Sequence, residues 1–134
     1  MITHNTQIRT RYGEVDQMGY VYHANYVSYC HEARTELLRK YGINDRVLEE
    51  NNIMIPVIKF NIDYKNAAHY DDLLTVKTTL TEIKGPKMSF DFVIIDEEGK
   101  TVCKAFSTVA FVTADTRKPL RVPLLVKSAL GING

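Results

Sequence analysis

Between Ala24 and Tyr41 apolar residues recur three and four positions apart, at Val27, Cys30, Ala33, Leu37, Leu38 and Tyr41. That interval places them on one face of a helix of about four to five turns. Glu36 and Lys40 fall on the opposite side at the spacing of an i,i+4 ion pair, and Gly42 follows as a residue suited to a left-handed helix stop. Asn44 or Asp45 can cap a second, short helix running to about Asn51.

Upstream, Thr6 to Tyr12 alternates loosely and holds β-formers, which predicts a first strand ending at Gly13. Glu14 to His23 mixes Glu14, Asp16, Gln17 and Gly19 with Met18, Tyr20, Val21 and Tyr22 in neither period, so it reads as a loop. Beyond the helices the chain turns to β-rich stretches at Ile53–Tyr64, Leu73–Ile83, Lys87–Asp96 and Thr101–Ala114. Gly85-Pro86 separates one pair, and Asp96-Glu97-Glu98-Gly99 reads as a hairpin turn with glycine supplying the positive φ. Pro119 and Pro123 argue against a further central strand in the tail from Thr116. One strand, one long helix and four strands make an α+β order, in which antiparallel hairpins pack a sheet on the helix.

Composition narrows the class. With 134 residues, 45% of them hydrophobic and 25% charged, the chain suits one folded domain spanning 1–134. Its 17 Lys and Arg against 16 Asp and Glu leave a net charge of +1, without the basic field that nucleic acid binding needs. Cys30 and Cys103 sit in apolar stretches without metal or redox spacing and read as buried thiols. His4, His31 and His69 form no ligand spacing with a cysteine or carboxylate, so no metal site is expected. No apolar run approaches the roughly 20 residues that span a bilayer, and Met1–Arg9 lacks the apolar core of a signal peptide. The expectation is a cytoplasmic protein that does not insert into membranes. A Gly-x-Ser-x-Gly elbow and a phosphate-cradling glycine loop are both missing.

Candidate chemistry concentrates in the loop before the long helix. Asp16 precedes His23 by seven positions, and the first helical turn offers backbone N–H groups without intrahelical partners. An aspartate there is commonly a cap or a turn former. Facing those amides and the positive end of the helix dipole, it also forms with them a carboxylate and an electrophilic centre sufficient for acyl transfer. The spacing is long for a simple cap if the helix starts near Ala24.

The run Arg11-Tyr12-Gly13-Glu14-Val15-Asp16-Gln17-Met18-Gly19-Tyr20-Val21-Tyr22-His23-Ala24-Asn25-Tyr26 resembles the signature of the hotdog-fold acyl-coenzyme A thioesterases related to 4-hydroxybenzoyl-coenzyme A thioesterase. That pattern is an aspartate, a glycine three positions on, and His-x-Asn-Tyr leading into the central helix. Asp63 to Asp72 and Thr116 to Pro123 are similar to further family segments, so the resemblance covers nearly the whole chain. Two departures fall at Ala67, where the family commonly has proline, and Asp71, where it commonly has glycine.

The resemblance implies a hotdog domain, one long central helix wrapped by a curved antiparallel sheet of about five strands, that hydrolyses an acyl-CoA to free acid and CoA. Asp16 is then the catalytic carboxylate, as nucleophile or as general base toward water, and the backbone N–H of His23 is the oxyanion donor. The His23 side chain either orders substrate or water or is a structural hydrogen-bonding group. Gly19 lets the loop pass close to the acyl group, Tyr26 lines the acyl pocket or is plain core, and Tyr12 and Asn25 brace the loop and helix start. Arg117, Lys118 and Arg121 either pair with the CoA phosphates or form a solvated tail, with Lys65 and Lys87 as weaker candidates. Val57, Phe60, Phe90 and Phe92 either line the acyl pocket or are ordinary core. No cofactor is expected, since coenzyme A belongs to the substrate. The resemblance further implies a homodimer or homotetramer with sites at the subunit interface. The rival readings are a hotdog hydratase or dehydratase and a non-catalytic acyl-CoA binding module.

Overall fold

The long helix is α1, Asn25–Lys40, in the computed structural model, which describes residues 2–132. Met1, Asn133 and Gly134, included in the expected domain 1–134, lie outside the described residues. The buried stripe of α1 is Tyr26, Tyr29, Cys30, Ala33, Arg34, Leu37 and Leu38. This face is rotated from the expected one: Val27 is 40% exposed, because two tyrosines and an arginine take inward positions that an apolar pattern overlooks. Gly42 stops the helix at φ 80, and Asn44 Oδ1 accepts from Val47 N at 2.9 Å to cap α2, Asp45–Glu50. The expected Glu36–Lys40 pair does not form. Arg39 Nε reaches Glu36 Oε1 at 3.3 Å instead, and Lys40 Nζ lies 5.7 Å from the centroid of the Tyr41 ring.

The strands are Ile2–Arg9 (β1), Ile53–Met54 (β2), Val57–Tyr64 (β3), Leu73–Lys84 (β4), Lys87–Ile95 (β5), Thr101–Ala110 (β6) and Val112–Thr113 (β7). Five of them form one antiparallel sheet in the order β1-β4-β5-β6-β3, and β2 pairs with β7 in a separate ladder. The first strand starts and ends earlier than predicted, since Ile2 to Arg9 pair in unbroken register with β4 and Tyr12–Glu14 coil into a 3₁₀ turn. Pro56, which lacks an N–H, splits the stretch from Ile53 to Tyr64, although its carbonyl still accepts from Ala110 N at 3.0 Å. Buried Phe111, bonded through its N–H to Pro86 O, splits the last stretch in the same way. Gly99 takes φ 82 in the predicted hairpin turn.

The tail holds no central strand, as expected, but Pro123 opens a helix there, α3 at Leu124–Ala129. Cys30 and Cys103 are buried free thiols, with burial pushing Cys103 up to about 12 and Cys30 further in the same direction. No described helix is long and apolar enough to cross a membrane. The whole matches the implied arrangement, a long helix lying on a five-stranded antiparallel sheet whose free edges are β1 and β3.

Candidate active site

Three segments meet at the head of α1. The first is the loop holding Asp16, closed by a Val15–Val21 bridge and by Asp16 N donating to Tyr20 O at 2.8 Å. Asp16 Oδ1 accepts from Met18 N at 2.8 Å and from Tyr20 N at 3.1 Å, and Gly19 N donates to Asp16 O at 3.0 Å. Gly19 has φ 81, a conformation that a Cβ would strain. One carboxylate oxygen therefore builds the turn. Oδ2 accepts no hydrogen bond among the described residues. The capped amides belong to the loop and not to the helix, so Asp16 does not cap α1.

The second segment is the helix start itself. Ala24 is its N-cap position and no side chain caps it. Asn25 Nδ2 turns away to donate to Glu14 O at 2.8 Å, a bond between the loop and the helix start. Asn25, Tyr26 and Val27 N–H donate to Tyr22, His23 and Ala24 carbonyls, the latter two at 3.3 Å. The N–H groups of His23 and Ala24 donate to nothing among the described residues. They are the unpartnered donors at the positive end of the dipole.

The third is the end of β3 and the chain beyond it. Tyr64 OH donates to His23 O at 3.2 Å, and its ring meets those of His23 and Tyr26 at 6.0 and 5.8 Å. Tyr26 is buried, accepts from Ala68 N at 3.1 Å through its hydroxyl oxygen, and has its phenol pKa raised chiefly by burial. Asp16, His23, Tyr26, Tyr64, Lys65 and Asn66 line one cleft of about 320 Å³. A neighbouring hollow of about 410 Å³ is walled by Asp72, Asp96, Glu97 and Glu98, with Lys100 among them.

The expected residues divide into those the fold gathers and those it does not. Asp16, His23 and Tyr26 line the cleft, Gly19 shapes its loop, and Asn25 holds loop to helix. Tyr12 points elsewhere: its side chain is 77% exposed and packs edge-on against Tyr70 at 5.6 Å. Arg117, Lys118 and Arg121 are exposed and sit beyond the other end of the β3/β6 ladder, where Arg117 N bonds Thr113 O. From Cys103, opposite Tyr64, to Val109, opposite Val57, the ladder alone spans about 20 Å. Within one chain these cations do not border the cleft.

Sequence reasoning passed over Glu14 and Tyr29. Tyr29 OH donates to Glu14 Oε1 at 2.8 Å, and Arg11 N donates to the same oxygen at 2.8 Å. Burial, then the bond to Glu14, raises the Tyr29 phenol. A tyrosine on the inward face of a helix needs a hydroxyl partner, and an acid two positions before Asp16 was available to provide one. Asn66 was also missed, and Tyr64, which the resemblance implies only within the stretch Ile53 to Tyr64 of a partner subunit, reaches the helix head of its own chain; both approaches are purely tertiary. No group of three or more potential metal-ligating side chains occurs among the described residues.

The model of the Thioesterase-like superfamily matches residues 10–130, and the chain belongs to that family. It is 37% identical over 123 residues to acyl-CoA thioesterase YbgC of Haemophilus influenzae, covering 91% of this chain and 90% of that one. Over 116 residues it is 31% identical to acyl-CoA thioester hydrolase YbgC of Escherichia coli O157:H7, with 87% of each covered. Among solved structures, DHNA-CoA thioesterase from Staphylococcus aureus superposes with a TM-score of 0.91 at 28% identity, covering 98% of this chain and 90% of that one. 4-Hydroxybenzoyl CoA thioesterase superposes with a TM-score of 0.88 at 21% identity over 96% of this chain and 99% of that one, a likeness of hotdog fold.

Proposed function

We propose that this chain is an acyl-CoA thioesterase whose chemistry runs in the Asp16 cleft. The observation that carries the reading is that Asp16 and the uncapped head of α1, from separate segments, border one cavity. The thioester carbonyl carbon lies toward Asp16 and its oxygen toward the His23 N–H, a donor worth about 3 kcal/mol of barrier. By one route Asp16 attacks the carbonyl carbon, the thiolate leaves, and water cleaves the resulting mixed anhydride. By the other Asp16 takes a proton from water, which attacks directly, and the thiolate leaves with the acid released. Both routes need an ionised Asp16 and the same oxyanion donor. The His23 ring, packed between Tyr22 and Tyr64, serves as a wall of the cleft.

Lys65 is the basic residue at the cleft rim, and the acidic hollow on the other side disfavours the phosphates of coenzyme A. Arg117, Lys118 and Arg121 meet those phosphates only from a second copy. The free β3 edge, with Val57 and Ile58 about half exposed at 46% and 51%, favours such pairing. The test is thiol release from short, long and aromatic acyl-CoA esters. Release from at least one class is expected. Water addition to enoyl thioesters without free thiol would favour the hydratase, and tight binding without turnover the binding module.

A further inference from the structure

Two of the three buried side-chain atoms without partners among the described residues flank one cavity between α1 and the sheet. They are Arg34 Nε and Ser107 Oγ, in residues only 5% and 2% exposed. Both residues line the same small cavity of about 140 Å³, whose other walls are largely apolar: Val27 and Cys30 of α1, Phe60 of β3 and Phe92 of β5. Arg34 has one hydrogen-bonding neighbour, His31 Nδ1 at 3.1 Å from its terminal nitrogen. Asp45 is the acid whose charge it feels, but no carboxylate among the described residues comes within ion-pair distance. A buried guanidinium without a paired carboxylate keeps a desolvation penalty that the His31 bond and the more distant Asp45 charge offset only in part, and its planar fork matches a carboxylate in two bonds.

The cavity and the cleft share no lining residue, but both are bordered by α1 and β3. Tyr64 joins β3 to the helix head at His23, while Val57, at the other end of β3, borders the cavity with Arg34. From His23 to Arg34 is about 16 Å along the helix axis at 1.5 Å per residue. An acyl chain with its carbonyl at the His23 N–H and its tail along the seam between α1 and β3 presents its far end to Arg34. We infer that the cavity closes the acyl site and selects acyl groups that end in a carboxylate over those that end in a methyl group. This specificity rests on the thioesterase reading for the placement of the carbonyl.

The test compares binding of the mono-CoA ester of dodecanedioate and of dodecanoyl-CoA to the full chain carrying Asp16→Asn by calorimetry, alongside kcat/KM for the two esters in the unaltered chain. The diacid ester is expected to bind at least tenfold tighter, the preference to vanish in Arg34→Met, and to fall severalfold in Ser107→Ala. Equal affinity for the two esters, or a preference undiminished in Arg34→Met, overturns the inference. If Arg34→Met does not fold, Ser107→Ala decides alone, and an unchanged preference overturns it. Should Arg34→Met alter only subunit association while both esters bind alike, the guanidinium belongs to a contact between copies and the inference also falls. Arg34-dependent binding of the diacid ester without thiol release by the unaltered chain would remove the thioesterase reading and leave the binding pocket standing.

Discussion

Asp16 and Asp96 make the same turn. In each, Oδ1 accepts from the N–H groups two and four positions on, at 2.8 and 3.1 Å for Asp16 and 3.0 and 2.9 Å for Asp96. In each a glycine three positions on, Gly19 or Gly99, takes φ 81 or 82 and donates to the aspartate carbonyl at 3.0 Å. The Asp-x-x-Gly spacing is therefore a loop-building device in its own right, and only the Asp16 copy opens on the head of α1. Gly19→Ala and Gly99→Ala should each lower stability by about 1–2 kcal/mol through the backbone alone, since a Cβ at either position would meet no atom within 4 Å. Only Gly19→Ala should also depress kcat. Urea unfolding read beside turnover checks this.

Tyr29→Phe removes the bond from the central helix to Glu14 while Arg11 N still holds the carboxylate. A loss of about 1 kcal/mol is expected. Because the bond ties the Asp16 loop to the helix, kcat should fall severalfold with KM little changed, and Glu14→Gln, which keeps an acceptor, should retain more activity than Glu14→Ala.

Asp71 holds φ 65, a backbone conformation that glycine, which the family resemblance implies at this position, adopts freely. Asp71→Gly gives up an exposed 3.9 Å ion pair with Arg9, worth little at the surface, and relieves the left-handed strain. A net gain of about 0.5 kcal/mol is expected in thermal or urea unfolding, with thiol release unaltered.

Removing the charge at the cleft rim in Lys65→Ala should raise KM for acyl-CoA severalfold at low salt and less at high salt, with kcat held. If copies pair along β3, Arg117→Ala with Lys118→Ala should raise KM in the same salt-dependent way, measured with sedimentation to establish the assembly.

Burial of Cys30 and Cys103 leaves both thiols protonated near neutrality. Native protein at pH 8 should resist iodoacetamide, and both cysteines should alkylate in denaturant, counted by mass spectrometry.

Much of the fold was legible because it is written locally. The period of α1, the stop at Gly42, the Asn44 cap and the Asp96–Gly99 turn each depend on residues within one turn of each other. Where legibility failed, the deciding contact was distant or the residue ambiguous. Pro123 marks a strand break in the sequence, yet its φ of −62 equally opens a helix, and α3 buries only Val126. Tyr29 and Arg34 turn inward because of partners and cavities that an apolar pattern does not encode. In the site, Asp16, His23, Gly19 and Asn25 were found through one contiguous motif, whereas the distance from the cleft to Arg117 and Lys118 depends on strand register.

The turn shared by Asp16 and Asp96 supplies the matched control for the central claim. Asparagine retains Oδ1 and so keeps either turn, while removing the negative charge. Thiol release from an acyl-CoA ester should fall at least about a hundredfold in Asp16→Asn and stay within about twofold of the unaltered chain in Asp96→Asn, with both variants folded. Undiminished release by folded Asp16→Asn would contradict the account.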